Sequence, residues 1–217
     1  MLIDVGGVLV MPDHGILHRV AAVHGGRPAT QDALERAHYV GVATADGPSG
    51  FDWAAYRSSL LAADAVPAAR RSAAGAELAR AMGAPAAEVW THVLPGARDG
   101  VARLASAGAR LAIVSNSDGT VAAALAALAL IPEGVPVFDS AAVGVAKPDP
   151  AIFALALARL GVPAARAAHV GDVPSADVVG AEAAGVRPLH LDPIGWCGAG
   201  DHEHVAALGE VADLLAT

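Results

Sequence analysis

Six polar residues are of types that could combine into one reactive centre: Asp4, Ser115, Asn116, Lys147, Asp172 and Asp177. Asp4 interrupts the apolar run LIDVGGVLV (residues 2–10) and is followed by the pair Gly6-Gly7. Ser115-Asn116-Ser117 follows LAIV, Lys147 lies in VGVAKPDP, and Asp172 and Asp177 share VGDVPSAD. Each alone has a plain reading, since Ser-Asn-Ser is a common turn, a lysine before proline is commonly solvated, and an aspartate after a strand is a common helix cap. Gathered in one crevice they permit a narrow chemistry. The hard carboxylate oxygens of Asp4 and Asp172, with Asp177 directly or through water, suit Mg²⁺, which keeps several waters and usually shares its shell with a phosphate. Ser115, the backbone amides around Asn116 and the Lys147 ammonium suit the remaining phosphoryl oxygens. Asp4 could then attack phosphorus and form an aspartyl-phosphate. Without a cation, three neighbouring carboxylates repel one another, so the arrangement implies its own metal.

Lys147 is singular in another way. Of the 14 basic residues, 13 are arginine and only this one is lysine. In a chain that places arginine wherever a cation serves, the exception points to a need for a compact ammonium rather than a planar fork.

These residues converge only if the chain supplies a parallel sheet. LIDVGGVLV taken alone reads as a hairpin with a Gly-Gly turn. The later sequence favours a buried parallel strand ending at Asp4, with the paired glycines turning the backbone close to a bound group. From Leu94 strands and helices alternate. Strands are expected at Arg110–Val114, Val135–Phe138, Ala167–Val170 and Val186–Leu191, with helices at Val121–Leu128 and Ala151–Leu160, another running through Gly185, and a closing helix near Val205–Leu215. Strands separated by helices of about a dozen residues indicate right-handed βαβ units around a parallel sheet, whose ligand crevice lies at the strands' carboxyl ends. Between Met11 and about Leu94 the pattern is helical instead. HGILHRVAAV stops at Gly25-Gly26, Thr30 and Asp52 are placed to cap the next two helices, and a fourth covers Ala68–Met82. The expected class is therefore α/β, a Rossmann-like parallel core with helices on both faces, built from residues 1–12 and 93–217, with residues 13–92 as an all-helical insertion.

Composition excludes other classes. A net charge of −8 offers no basic stripe for nucleic acid and no cluster for a membrane surface. The apolar content of 54% is largely alanine in segments broken by charges, too short to span a bilayer. MLIDVGG has neither a basic n-region nor a cleavage site, so a cytoplasmic protein is expected. The single cysteine, Cys197, has no nucleophile partner in sequence and reads as a bystander thiol. His202 and His204, in DHEH, lack a visible third metal ligand and read as a solvated helix start, while His169 reads as a strand residue facing a helix. Oligomeric state is not encoded in any of these features.

The ordered set DVGGV, VSNS, AKPDP and VGDVPSAD, followed by VVGAEAAGV, resembles the haloacid dehalogenase (HAD) superfamily of hydrolases. The helical block sits where that family inserts a helical cap after its first motif. The resemblance implies Asp4 as nucleophile, Ser115 and Lys147 as phosphate ligands with Asn116 and Gly7 beside them, and Mg²⁺ held by Asp4, the Gly6 carbonyl, Asp172 and Asp177. It also implies a small phosphorylated metabolite as substrate, a sugar phosphate being suggested by the family's Asp-x-Gly-Gly branch. The family's 2-haloacid dehalogenases use the aspartate without metal and generally lack the acidic pair, so Asp172 and Asp177 favour phosphatase. Most phosphatases of the family carry a second aspartate two residues after the nucleophile, which protonates the leaving oxygen. Here that position is Gly6, and the loss of a general acid typically costs about 10²–10⁴ in rate. A catalytically weak phosphate-binding protein is the third reading. Substitute proton sources are Asp13, His14, His38 and Tyr39, of which Asp13 reads better as a helix cap. His38, Tyr39, Trp53 and Tyr56 concentrate the block's polar aromatics in a chain with 4% aromatic residues, and are expected either to face substrate or to form the cap's own small core.

Overall fold

The structure, a computed structural model, describes residues 1–47, 49–198 and 200–215. Six parallel strands form one twisted sheet: β1 (Leu2–Ile3), β4 (Ala112–Ser115), β5 (Val137–Asp139), β6 (Ala168–Gly171), β7 (Arg187–Leu191) and β8 (Glu203–Val205). Their spatial order is β5-β4-β1-β6-β7-β8, so the strand that opens the chain lies in the middle. A second, two-stranded antiparallel ribbon pairs β2 (Val10–Met11) with β3 (His92–Val93). The helices between β2 and β3 are α1 (His14–Val23), α2 (Gln31–Ala45), α3 (Trp53–Ala63), α4 (Ala68–Ala81) and α5 (Ala86–Val89). Those of the core are α6 (Ala97–Ser106), α7 (Val121–Ala127), α8 (Ser140–Val143), α9 (Pro150–Leu160), α10 (Asp177–Ala183) and α11 (Leu208–Leu215).

Burial on both faces explains the apolar strands. Leu2 and Ile3 are both fully buried and point to opposite layers: Leu2 packs with Ile152 and Phe153 of α9 and Ala181 of α10, whereas Ile3 joins Leu104 of α6, Leu125 of α7 and Val211 of α11. The first three helices start where short polar side chains can take up free amides. Asp13 accepts from Ile16 N (2.9 Å), Thr30 from Ala33 N (3.3 Å) and Asp52 from Ala54 N (2.9 Å). Asp13 is thus a cap, as its sequence setting suggests.

The run at residues 2–10 makes the expected buried parallel strand and no hairpin: β1 ends at Ile3, the Val5 carbonyl then takes the amides of Leu9 and Val10 (2.9 and 3.0 Å), and the chain leaves the sheet to enter the ribbon. One expectation is corrected: the stretch from His202 is not a helix start. Residues 203–205 form β8, pairing His190 with His204 and Leu191 with Val205, and the last helix begins only at Leu208. The pattern gave no sign of this because a three-residue edge strand is too short to show a period. Among the described residues no helix is long and apolar enough to cross a membrane.

Candidate active site

The register of the central strands brings three acidic or hydroxyl side chains to one edge. Leu2 is level with Ala112 of β4 and His169 of β6, and the Asp4 amide continues the pairing by donating to the Val170 carbonyl (2.9 Å). Asp4, Ser115 at the end of β4 and Asp172 just beyond β6 therefore emerge side by side, and all three are buried. Lys147 reaches them from the loop before α9. Its Nζ lies 2.7 Å from Asp4 Oδ1 and 2.6 Å from Asp177 Oδ1, and all three side chains are at least nine-tenths buried. The loop is held by Asn116, whose amide Nδ2 donates to the Lys147 carbonyl (2.8 Å) while its Oδ1 accepts the Lys147 amide (2.8 Å). Asn116 thus acts on Lys147 rather than pointing its side chain freely into the crevice. The loop after β4 is braced in turn by buried Asp139, which accepts the amides of Gly119 and Ala141 (3.0 Å each).

A cavity of ≈ 540 Å³ opens on Asp4, Gly6, Ser115, Asn116, Lys147, Asp172 and Asp177, and the helical block contributes His38, Trp53 and Tyr56 to its wall. His38 binds across the junction, with Nε2 3.1 Å from Asp172 Oδ2 and Nδ1 2.7 Å from the Tyr56 hydroxyl. Tyr39 goes elsewhere: its hydroxyl donates to the Gly7 carbonyl (2.9 Å). The Gly7 amide donates to the Val10 carbonyl (2.8 Å), so this glycine serves the turn and its N–H is not aimed at a phosphate. His14 stacks on His92 (ring centroids 3.8 Å apart) and does not line the cavity.

Charge explains the pairing. Three carboxylates face one ammonium, which leaves two negative charges for a divalent ion to cancel. One oxygen from each carboxylate lies within 4.8 Å of the others, all hard donors of the kind Mg²⁺ takes. The crowding falls unequally. Burial, then the Asp177 and Asp172 charges, outweigh Lys147 and push Asp4 up to about 7. Asp177 is also buried, but Lys147, His169 Nε2 (2.8 Å) and the Val173 amide (3.0 Å) hold it well below the usual carboxylate range. For Lys147, burial opposes the charge, yet Asp177 and Asp4 outweigh it and raise the ammonium above its ordinary value.

Two residues escaped the sequence reading. His169 does face a helix, edge-on to Phe153, but it also holds Asp177 in place. The spacing of eight residues between them signals this only once α10 is known to fold back beside β6. Trp90 packs over Gly6, where an added Cβ would stand 3.3 Å from its ring. Gly7, with φ of +68°, is a position where only glycine fits, since a Cβ would meet Asp172 Oδ2 at 1.9 Å and His38 Nε2 at 2.6 Å. Gly7→Ala is expected to destabilise by at least about 2 kcal/mol and to lower the thermal midpoint by about 4–8 °C, measured by circular dichroism.

The comparisons with known proteins agree with this architecture. Residues 1–185 match the family model for haloacid dehalogenase-like hydrolases. The chain is 42% identical over 84 residues to a phosphoserine phosphatase of Thermus thermophilus, an alignment covering 30% of this chain and 34% of that protein's length, so the likeness spans about a third of the relative. Among solved structures, a HAD phosphatase from Thermococcus onnurineus superposes with a TM-score of 0.60 at 22% identity, covering 99% of this chain and 96% of that one. A 2-haloacid dehalogenase from Pseudomonas syringae superposes with a TM-score of 0.57 at 20% identity over 99% and 96% of the two chains. These two show the shared fold. With the family model spanning the crevice from Asp4 through Asp177, the chain belongs to the haloacid dehalogenase-like hydrolases.

Proposed function

We propose that this hydrolase is a Mg²⁺-dependent phosphomonoesterase of a small phosphorylated metabolite, acting through a phosphoryl group carried on Asp4, with residues 13–92 as a cap that selects the substrate. The observation that carries the reading is the Asp4–Lys147–Asp177 contact beside Asp172: a nucleophile, a phosphate-binding cation and an acidic pair that a metal-free dehalogenase would not need. Mg²⁺ bound by Asp4, Asp172, Asp177 and the Gly6 carbonyl would supply charge neutralisation and Lewis acidity toward the phosphoryl oxygens. Asp4 attacks phosphorus in line with the departing alkoxide. Lys147 and Ser115 hold the equatorial oxygens whose charge the transfer spreads. Water then cleaves the aspartyl-phosphate and restores the carboxylate. The Thermus relative, matched over about a third of its length, is described as a phosphoserine phosphatase, which supports the class without assigning its substrate to this chain.

The proton that Gly6 does not provide is assigned to His38. Its Nδ1 lies 2.7 Å from the Tyr56 hydroxyl and its Nε2, at the cavity wall, lies 3.1 Å from Asp172 Oδ2; as the imidazolium it gives the Nε2 proton to the leaving oxygen and returns to the neutral ring. His38→Gln is expected to lower kcat by about 10²-fold or more on alkyl phosphates and far less on aryl phosphates, whose leaving groups depart without help.

The test is a panel of phosphate esters with and without Mg²⁺, on this chain and on Gly6→Asp. Metal-dependent phosphate release supports the reading. Chelator-insensitive halide release from a 2-haloacid would replace it with dehalogenation. No turnover, together with thermal stabilisation by Mg²⁺ and a phosphate mimic, would make the chain a binding protein. Because Trp90 crowds position 6, Gly6→Asp should raise alkyl-phosphate turnover less than Gly6→Asp combined with Trp90→Ala.

A further inference from the structure

We propose that His190, Cys197, His202 and His204 form a closed tetrahedral zinc site that ties the loop between β7 and β8 to the sheet. Each offers one nitrogen or sulfur atom, and all four atoms lie within 4.8 Å of one another. Around a tetrahedral zinc, two imidazole nitrogens stand about 3.3 Å apart and a nitrogen and a thiolate about 3.6 Å apart. His190 Nδ1 and His202 Nε2 are separated by 3.0 Å, and Cys197 Sγ and His202 Nε2 by 3.8 Å. The remaining separations are within 4.8 Å, and His204, which is exposed, has room to turn toward the other three.

Three features of the surroundings support a built site. Pairing of β7 with β8 sets His190 opposite His204, and their rings, with that of His202, lie 4.6–5.1 Å apart between centroids. Asp201 Oδ1 lies 2.8 Å from His202 Nδ1, which fixes the proton on that nitrogen and turns the Nε2 lone pair toward the cluster, the outer-shell arrangement of metal-bound histidine. Asp192 accepts the amides of Trp196 (3.0 Å) and Cys197 (2.8 Å), bending the loop so that the thiol faces the imidazoles.

Donor chemistry selects the ion. Three imidazoles and a thiolate, with no carboxylate, suit zinc and give Mg²⁺ nothing to bind, whereas the hard oxygens of Asp4, Asp172 and Asp177 do the reverse. With four protein ligands no position remains for water, so the site is structural. On binding, the Cys197 thiol loses its proton to solvent and the His190 proton moves to Nε2, leaving Nδ1 free to coordinate. These residues lie beyond the stretch matched by the family model, which ends at residue 185. The loop they hold shares a second cavity, of ≈ 360 Å³, with Tyr39 and Asp172, so the ion would brace one flank of the catalytic crevice.

The experiment is metal analysis of the purified chain by mass spectrometry, a zinc titration against a competing chelator in excess Mg²⁺, and the visible spectrum of the Co²⁺-substituted protein. One zinc per chain, a thiolate-to-cobalt charge-transfer band and a thermal midpoint raised by zinc are expected. Cys197→Ala and His204→Ala should each weaken zinc by more than about 100-fold and Asp201→Asn by about 10- to 100-fold, while Asp172→Asn retains the ion. Asp201→Asn keeps every ligand, so it tests the site even if a ligand variant fails to fold. Absence of zinc binding, zinc lost from Asp172→Asn but kept by Cys197→Ala, or a cobalt spectrum without the thiolate band would overturn the proposal.

Discussion

Asp4→Asn is expected to reduce turnover of every phosphate ester by about 10⁴-fold or more, the scale on which removal of a covalent nucleophile acts, while leaving the chain folded. The variant should also be more stable than the parent when no metal is present. Asp4 titrates near 3.8 unfolded and is pushed up to about 7 in the fold, chiefly by burial. A raised carboxyl contributes stability that is complete below the unfolded value and is lost as pH rises through the folded one. The parent therefore loses stability between about pH 4 and pH 7, where the amide does not titrate, and the gap persists above. Urea titrations at pH 5 and pH 8 without Mg²⁺ measure it: the Asn variant should gain on the parent at the higher pH. Adding Mg²⁺ should narrow the gap, because the ion stabilises the carboxylate it binds. A parent at least as stable as the variant at pH 8 would show that Lys147 alone satisfies Asp4.

The second large effect falls on the opposite charge. Lys147→Met leaves Asp177 and Asp4 buried without their shared ammonium, and removal of one partner from a buried ion pair typically costs about 3–5 kcal/mol. The expected drop in thermal midpoint is about 6–20 °C for a chain of this size. Activity should be lost as well, and Lys147→Arg should restore neither in full. A single Nζ lies 2.7 and 2.6 Å from oxygens of two different carboxylates, a point contact that a planar guanidinium does not reproduce in a pocket this tightly closed. Full activity in Lys147→Arg would mean that any cation serves there.

The lone lysine among arginines was the most informative feature of the composition, and its Nζ lies between two buried carboxylates, 2.7 Å from Asp4 and 2.6 Å from Asp177. The parallel sheet was readable because buried parallel strands are short, apolar and separated by helices of regular length, as LAIV and AAHV show. Their carboxyl ends then located Asp4, Ser115 and Asp172. What lay beyond reach depended on distant segments meeting. His190 and Cys197 give no local reason to be grouped with His202 and His204, since the grouping is made by β8 pairing with β7 and by a loop bent around Asp192. His38 and Tyr39 are adjacent, yet a helix turns neighbours about 100° apart, so one reaches Asp172 and the other the Gly7 carbonyl. Trp90 could be placed over Gly6 only by tertiary packing.

The most direct test of the central claim is to stop the reaction with acid during turnover of a phosphate ester in Mg²⁺ and to examine the peptide containing Asp4 by mass spectrometry. The account predicts a phosphoryl group on Asp4, absent from the Asp4→Asn protein. Rapid ester hydrolysis with that peptide unmodified throughout, or a phosphoryl group found on another residue, would contradict it.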